Sequence, residues 1–159
     1  MLSEQIQSRI DRELKKYPAN QKQSAVMAAL RFVQDDKGWI ATEDMADVAA
    51  YLGMPKMAVY EVATFYHMYN LKPMGKHTIT VCTNLSCTLC GAGDTVAYLR
   101  EKLGIGLGEV TADGKYGLRE GECMGACKDA PLFTLNNKKL CDRLSKEKID
   151  QILAELDQS

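Results

Sequence analysis

No stretch of this 159-residue sequence is apolar for anything near the roughly 20 residues that a membrane-spanning helix needs. There is no surplus of basic charge either: 20 Lys and Arg stand against 21 Asp and Glu, a net charge of -1. Composition therefore gives no reason to expect nucleic acid or an anionic membrane surface as partner. The opening MLSEQIQSRIDREL lacks the apolar core of a signal peptide, and its acids argue against a transit peptide, so the cytosol is the expected compartment. No internal repeat or low-complexity segment interrupts an ordinary globular composition. GIGLG (residues 104–108) lacks the G-x-G-x-x-G spacing and follows a helical pattern, so it reads as a turn rather than a phosphate loop. The most informative absence is cysteine from residues 1–76; all six cysteines lie in the remaining 83 residues. In a reducing compartment they are expected to be metal ligands or redox thiols rather than disulfides.

That asymmetry suggests two domains, 1–73 and 74–159, with a hinge in LKPMGK where Pro73 and Gly75 break periodicity. The first reads as a small four-helix bundle. Ile6, Ile10 and Leu14 recur behind a Ser3 cap, in a helix expected to reach Pro18. Asn20 is the expected cap of a second helix carrying Val26, Met27, Leu30 and Val33, stopped by Gly38. Thr42 is the expected cap of a third, ended by Gly53, and Pro55 opens a fourth faced by Val59, Val62, Phe65, Tyr66 and Tyr69. The second part alternates: a strand at 77–82, a helix at 95–103 with Asp94 as cap, strands at 109–111 and 116–123 across an Asp113-Gly114 turn, a hairpin at 132–141 turning on Asn136-Asn137, and a closing helix capped by Ser145. The second part is thus an α/β layer with mixed strands, and the whole chain is of the α+β class.

Two cysteine groups carry the chemistry: Cys82-x4-Cys87 with Cys90 beyond it, and Cys123-x3-Cys127. Each follows a predicted strand and has small residues nearby (Ser86, Gly91, Gly93, Gly125, Ala126), which let backbone N–H groups approach sulfur. One reading is a [2Fe–2S] cluster on Cys82, Cys87, Cys123 and Cys127. Another is the plant-type spacing C-x4-C-x2-C, which Cys82, Cys87 and Cys90 satisfy literally. A third makes Cys87 and Cys90 a thioredoxin-like dithiol, with the Cys87 pKa lowered by a helix N-terminus. Zinc on four thiolates is a fourth. A dithiol leaves Cys82, Cys123 and Cys127 unexplained, and the spacings lean towards iron–sulfur, but they leave the role of Cys90 open. His67 and His77, the two histidines available to a Rieske-like site, read as ordinary polar or packing residues. Cys141 reads as a small buried apolar residue, Trp39 and the aromatics of the fourth helix as core or interface, and Glu122 and Lys128 as solvated charge beside the ligands.

GWI (38–40), MPKMAVYEVATFYHMYNLKPMGKHTITVCTNLSC (54–87) and GECMGACKDAP (121–131) resemble the small thioredoxin-like [2Fe–2S] subunit of the NADH-dehydrogenase module of respiratory complex I, NADH:quinone oxidoreductase. NAD-linked hydrogenases and formate dehydrogenases carry corresponding subunits. The resemblance implies a helical docking domain at 1–73 and a thioredoxin-like ferredoxin domain at 74–159. It places the four ligands of one [2Fe–2S] cluster on Cys82, Cys87, Cys123 and Cys127, and the family pattern demands no cysteine at Cys90 or Cys141. It implies single-electron exchange with FMN in a partner subunit that oxidises NADH, with the large iron–sulfur subunit as a second candidate partner. The chain would be a subunit of an oxidoreductase without catalytic residues of its own, cytoplasmic or peripheral on the cytoplasmic face of the inner membrane.

Overall fold

The computed structural model describes residues 1–158, and the chain divides into two compact units, Met1–Pro73 and Met74 onward. In the first, four helices share one apolar core. Helix α1 (Glu4–Leu14) is capped by Ser3, whose Oγ accepts the Ile6 N–H at 3.4 Å. It ends one turn before Pro18, because the chain there closes into a tight turn from Tyr17 N–H to the Leu14 carbonyl. Asn20 caps nothing: a 3-10 turn, Lys22–Ala25, comes first and runs directly into α2 (Val26–Lys37). Gly38, at φ +85°, ends α2 in the left-handed conformation that glycine tolerates best.

Helix α3 (Thr42–Leu52) takes Ala41, not Thr42, at its N-cap position. Alanine offers no side-chain acceptor there, but Asp44 makes the reciprocal capping bond, its carboxylate receiving the Ala41 N–H at 2.8 Å. Helix α4 (Lys56–Phe65) follows Pro55. Ile10, Leu30, Ile40, Val48 and Val59 are fully buried, each contributing about 2 kcal/mol of apolar burial. The aromatic face expected of α4 splits. Tyr69 is buried and donates to the Met27 carbonyl, while Phe65 and Tyr66 stand exposed because the helix stops at Phe65 and the backbone turns extended at Tyr66.

The second unit is built on a five-stranded sheet in the order β2-β3-β1-β4-β5. The strands are β1 (His77–Cys82), β2 (Glu109–Val110), β3 (Tyr116–Gly121), β4 (Phe133–Leu135) and β5 (Lys139–Cys141). All six residues of β1 are buried, as a central strand requires. β1 and β3 are parallel, which demands a long crossover, and two helices supply it: α5 (Leu85–Leu89) and α6 (Ala92–Leu103). The remaining pairings are antiparallel. Helix α7 (Lys146–Asp157), capped by Ser145, packs Ile149 and Ile152 with Leu99 of α6 against Ile79, Val81, Leu118 and Phe133 of the sheet.

Three local readings of the sequence change here. The long helix begins at Ala92 rather than Thr95, entered through Gly91 at φ +92°, and Asp94 lies inside its first turn. β3 stops at Gly121, so Cys123 stands in a loop. The one-turn helix α5, inside the first cysteine group, has too few residues to show a period in sequence. The Asn136-Asn137 turn is as expected, with φ of 53° and 52°. Among the described residues no helix is long and apolar enough to cross a membrane.

Candidate metal centre

The end of the central strand positions the first sulfur. Cys82 closes β1, and its backbone N–H is tied to the Leu132 carbonyl at 3.1 Å. Past it the chain turns at Asn84, whose side chain accepts the Leu85 N–H, and enters α5. Thr88 Oγ1 reaches back to the Thr83 carbonyl at 3.0 Å and holds this turn against the strand. Cys87 lies within α5 and points inward. Cys82 and Cys87 are each only 1% exposed, and both pack on Ala92 and Leu132, with Met124, Ala126 and Ala130 at the margin. Three alanines in this lining leave room beside the sulfurs that larger side chains would fill.

The second pair comes from the loop after β3. Cys123 and Cys127 are exposed, with their sulfurs 3.9 Å apart. Gly125, at φ +74°, bends the loop so that its N–H points back to Cys123 Sγ at 3.4 Å. A backbone donor on a ligand sulfur is how a protein offsets thiolate charge.

The two pairs meet. Burial pushes the Cys87 thiol up to about 11, reinforced by its hydrogen bond with Cys82 and by the nearby Cys82, Cys127 and Cys123. Those three are the sulfurs that reach Cys87. Cys90 is not among them: it ends α5 as an exposed C-cap residue, its N–H donating to the Ser86 and Cys87 carbonyls. The dithiol reading needs a nucleophile with a lowered pKa at Cys87. The structure instead gives a buried thiol with a raised one, inside a one-turn helix rather than ahead of a long one. Cys141 is buried on β5, and burial raises its thiol too.

The donor set suits a [2Fe–2S] cluster, in which each of two irons takes two thiolates. Zinc accepts the same four thiolates, and among the described residues no group of three or more His, Cys, Asp or Glu side chains stands close enough to hold a metal ion.

The family model for a thioredoxin-like [2Fe–2S] ferredoxin matches residues 10–157. The chain belongs to that family. Among its relatives is NADH-quinone oxidoreductase subunit 2 of Thermus thermophilus, 39% identical over 141 residues, covering 89% of this chain and 78% of the relative. A relative from Rickettsia bellii, also named as a subunit of NADH-quinone oxidoreductase, is 45% identical over 144 residues, covering 90% of this chain and 86% of the relative. Among solved structures, an air-oxidised NAD+-reducing [NiFe]-hydrogenase superposes with a TM-score of 0.73 at 20% identity, over 89% of this chain and 24% of the hydrogenase chain. At that identity the likeness is one of fold.

Within this ferredoxin fold the other sequence candidates fall away from the sulfurs. His77 begins β1, at the opposite end of the strand from Cys82. It is buried beside Tyr116, with neither ring nitrogen in a hydrogen bond. His67 is exposed on the helical unit. Glu122 is engaged by Asn84 Nδ2 at 3.5 Å and Glu120 by Thr83 Oγ1 at 3.4 Å, so these acids brace the loops around the sulfurs. Sequence reasoning missed a further group behind the second pair: Arg143, whose side chain and backbone both bind Asp129. The only sequence signal was a lone Asp-Arg pair after a strand, which has no period and no motif.

Proposed function

We propose that this chain is the [2Fe–2S] electron-transfer subunit of an NADH:quinone oxidoreductase, with Cys82, Cys87, Cys123 and Cys127 as the ligands. What supports the reading is the parallel pairing of β1 with β3, from whose ends the loop after Cys82 and the loop with Cys123 and Cys127 depart side by side, the latter two sulfurs 3.9 Å apart. The names of relatives that align along most of their own length support the assignment to that complex. Bound there, the cluster supplies one-electron storage and transfer. The chain's own residues hold it unevenly: Cys82 and Cys87 seal one side in apolar surroundings, while Cys123 and Cys127 leave the other side open to a partner. The partner is the FMN-containing subunit that oxidises NADH, with the large iron–sulfur subunit as a second neighbour. Residues 1–73 serve as a docking domain packed as a four-helix bundle, and the chain works at the cytoplasmic face of the inner membrane without entering it. It has no active site of its own.

The test is iron and sulfide content with EPR spectra of anaerobically reconstituted protein, for the wild type and for Cys90→Ser. Two irons and two sulfides per chain are expected in both. Both should be silent when oxidised and give an S = 1/2 signal on reduction with dithionite. Loss of that signal in Cys90→Ser would restore the plant-type spacing. Zinc or free reactive thiols in the wild type would sink the electron-transfer reading.

A further inference from the structure

Cys127 begins a three-residue 3-10 turn, Cys127–Asp129, that has no side-chain cap of its own. Its internal hydrogen bonds are few: Asp129 N–H to the Ala126 carbonyl at 2.9 Å, and Ala130 N–H to the Cys127 carbonyl at a long 3.4 Å. The firm hold on this turn comes from fourteen residues later in the chain. Arg143 Nη2 and Nε donate to the same Asp129 carboxylate oxygen, at 2.7 and 3.1 Å. The Arg143 backbone N–H donates to the Asp129 carbonyl at 2.7 Å, and the next residue, Leu144, donates to the Pro131 carbonyl at 3.0 Å.

Arg143 makes these bonds from an unfavourable backbone. Its φ of 43° lies in the left-handed region, and of the three non-glycine residues found there among the described residues the other two are the hairpin asparagines 136 and 137. Asparagine visits that region readily; arginine does not. A loop that needed only the bend would be served better by glycine. An arginine kept there at a conformational cost is explained by what its side chain and N–H do together, which is to grip Asp129 at both its carboxylate and its carbonyl.

We propose that Arg143 is a positioning residue for the cluster, holding the Cys127 turn in the geometry that places its sulfur opposite Cys123. This rests on the ligand assignment proposed above. The guanidinium acts through Asp129 and does not touch sulfur. Because Cys123 and Cys127 are exposed while only Met124, Ala126 and Ala130 of their loop pack inward, the grip sets how far the Cys127 sulfur can swing. That swing would alter how firmly Cys127 holds the cluster and how easily the cluster is lost.

The experiment uses the full chain, reconstituted, as wild type, Arg143→Gly, Asp129→Asn and the double variant. Arg143→Gly suits the φ, so the apo-protein should unfold at the wild-type temperature or above it. The same variant should give a reduced EPR signal with shifted or broadened g-values and a displaced midpoint potential. It should also lose its cluster to a chelator roughly fivefold faster, as expected when an exposed charge-assisted contact is removed. Asp129→Asn should share the spectral change, and the double variant should add nothing to either single one. Wild-type spectra, potential and chelation rate in both single variants would overturn the proposal while leaving the cluster assignment intact. A wild type that takes up no cluster would overturn both.

Discussion

Cys87 and Cys90 are three residues apart, and their environments differ in every respect that matters to a thiol. Cys87 is buried against other sulfurs and its pKa is raised, while Cys90 ends a helical turn in solvent. Buried thiols can serve iron because the metal displaces their protons, whatever the free thiol's pKa. His77 shows how a buried group makes stability depend on pH. Burial is the main cause of its lowered pKa, the cations of Lys76 and Lys115 add to it, and Asp157 opposes them. A base with a folded pKa below its unfolded value binds more protons when unfolded, so stability rises with pH. Its contribution is intact above about pH 6.5 and is lost as pH falls below that value. Denaturant titration of the apo-protein between about pH 5 and 7 should show this slope. In His77→Phe the slope should flatten, and stability should rise by about 1 kcal/mol as two unpartnered nitrogens are removed. An unchanged slope in the variant would place the titrating group elsewhere.

At the scale of elements, the crossover from β1 to β3 dictates where the sulfurs go. β1 delivers Cys82 at its end, and the parallel partner β3 ends beside it, in register from His77–Tyr116 to Cys82–Gly121. The two cysteine loops therefore leave the sheet side by side although about 40 residues separate them. That register depends on a close backbone approach: a Cβ on Gly117 would lie 2.0 Å from the Met74 carbonyl oxygen. Gly117→Ala should destabilise the protein by about 3 kcal/mol, since the contacting atoms are all Met74 backbone and not a flexible side-chain end. Gly38→Ala, with nothing within 4 Å of the added carbon and only a φ of +85° to oppose it, should cost about 1 kcal/mol. Urea denaturation of the two variants distinguishes these cases; equal losses would mean that the Gly117 contact relaxes freely.

At the scale of the whole molecule, each unit has its own core. One is gathered around Leu30, Ile40 and Val48, the other around Ile79, Leu118 and Phe133. The four sulfurs all belong to the second. A fragment of residues 74–159 should therefore fold and take up one [2Fe–2S] cluster with the EPR signature of the full chain. A fragment that stays unfolded, or takes up no iron, would show that the helical unit supports the cluster fold as well as its docking.

By itself the sequence determined the division of labour. Cysteine is confined to one half, turn chemistry at Asp113-Gly114 and Asn136-Asn137 sets the hairpins, and the C-x4-C and C-x3-C spacings favour a metal site over a dithiol. These are local signals, carried by residues within a few positions of one another, and local signals survive without a fold. Spacing alone left open whether Cys90 is a ligand with one of Cys123 or Cys127 spare. Which cysteine loops lie side by side depends on a parallel strand pairing and a one-turn helix too short to have a period. The same holds for Arg143, which reaches Asp129 only because β4, β5 and the loop into α7 bring the chain back on itself. Contacts between residues far apart in sequence leave no periodicity to read, so tertiary structure alone decided them.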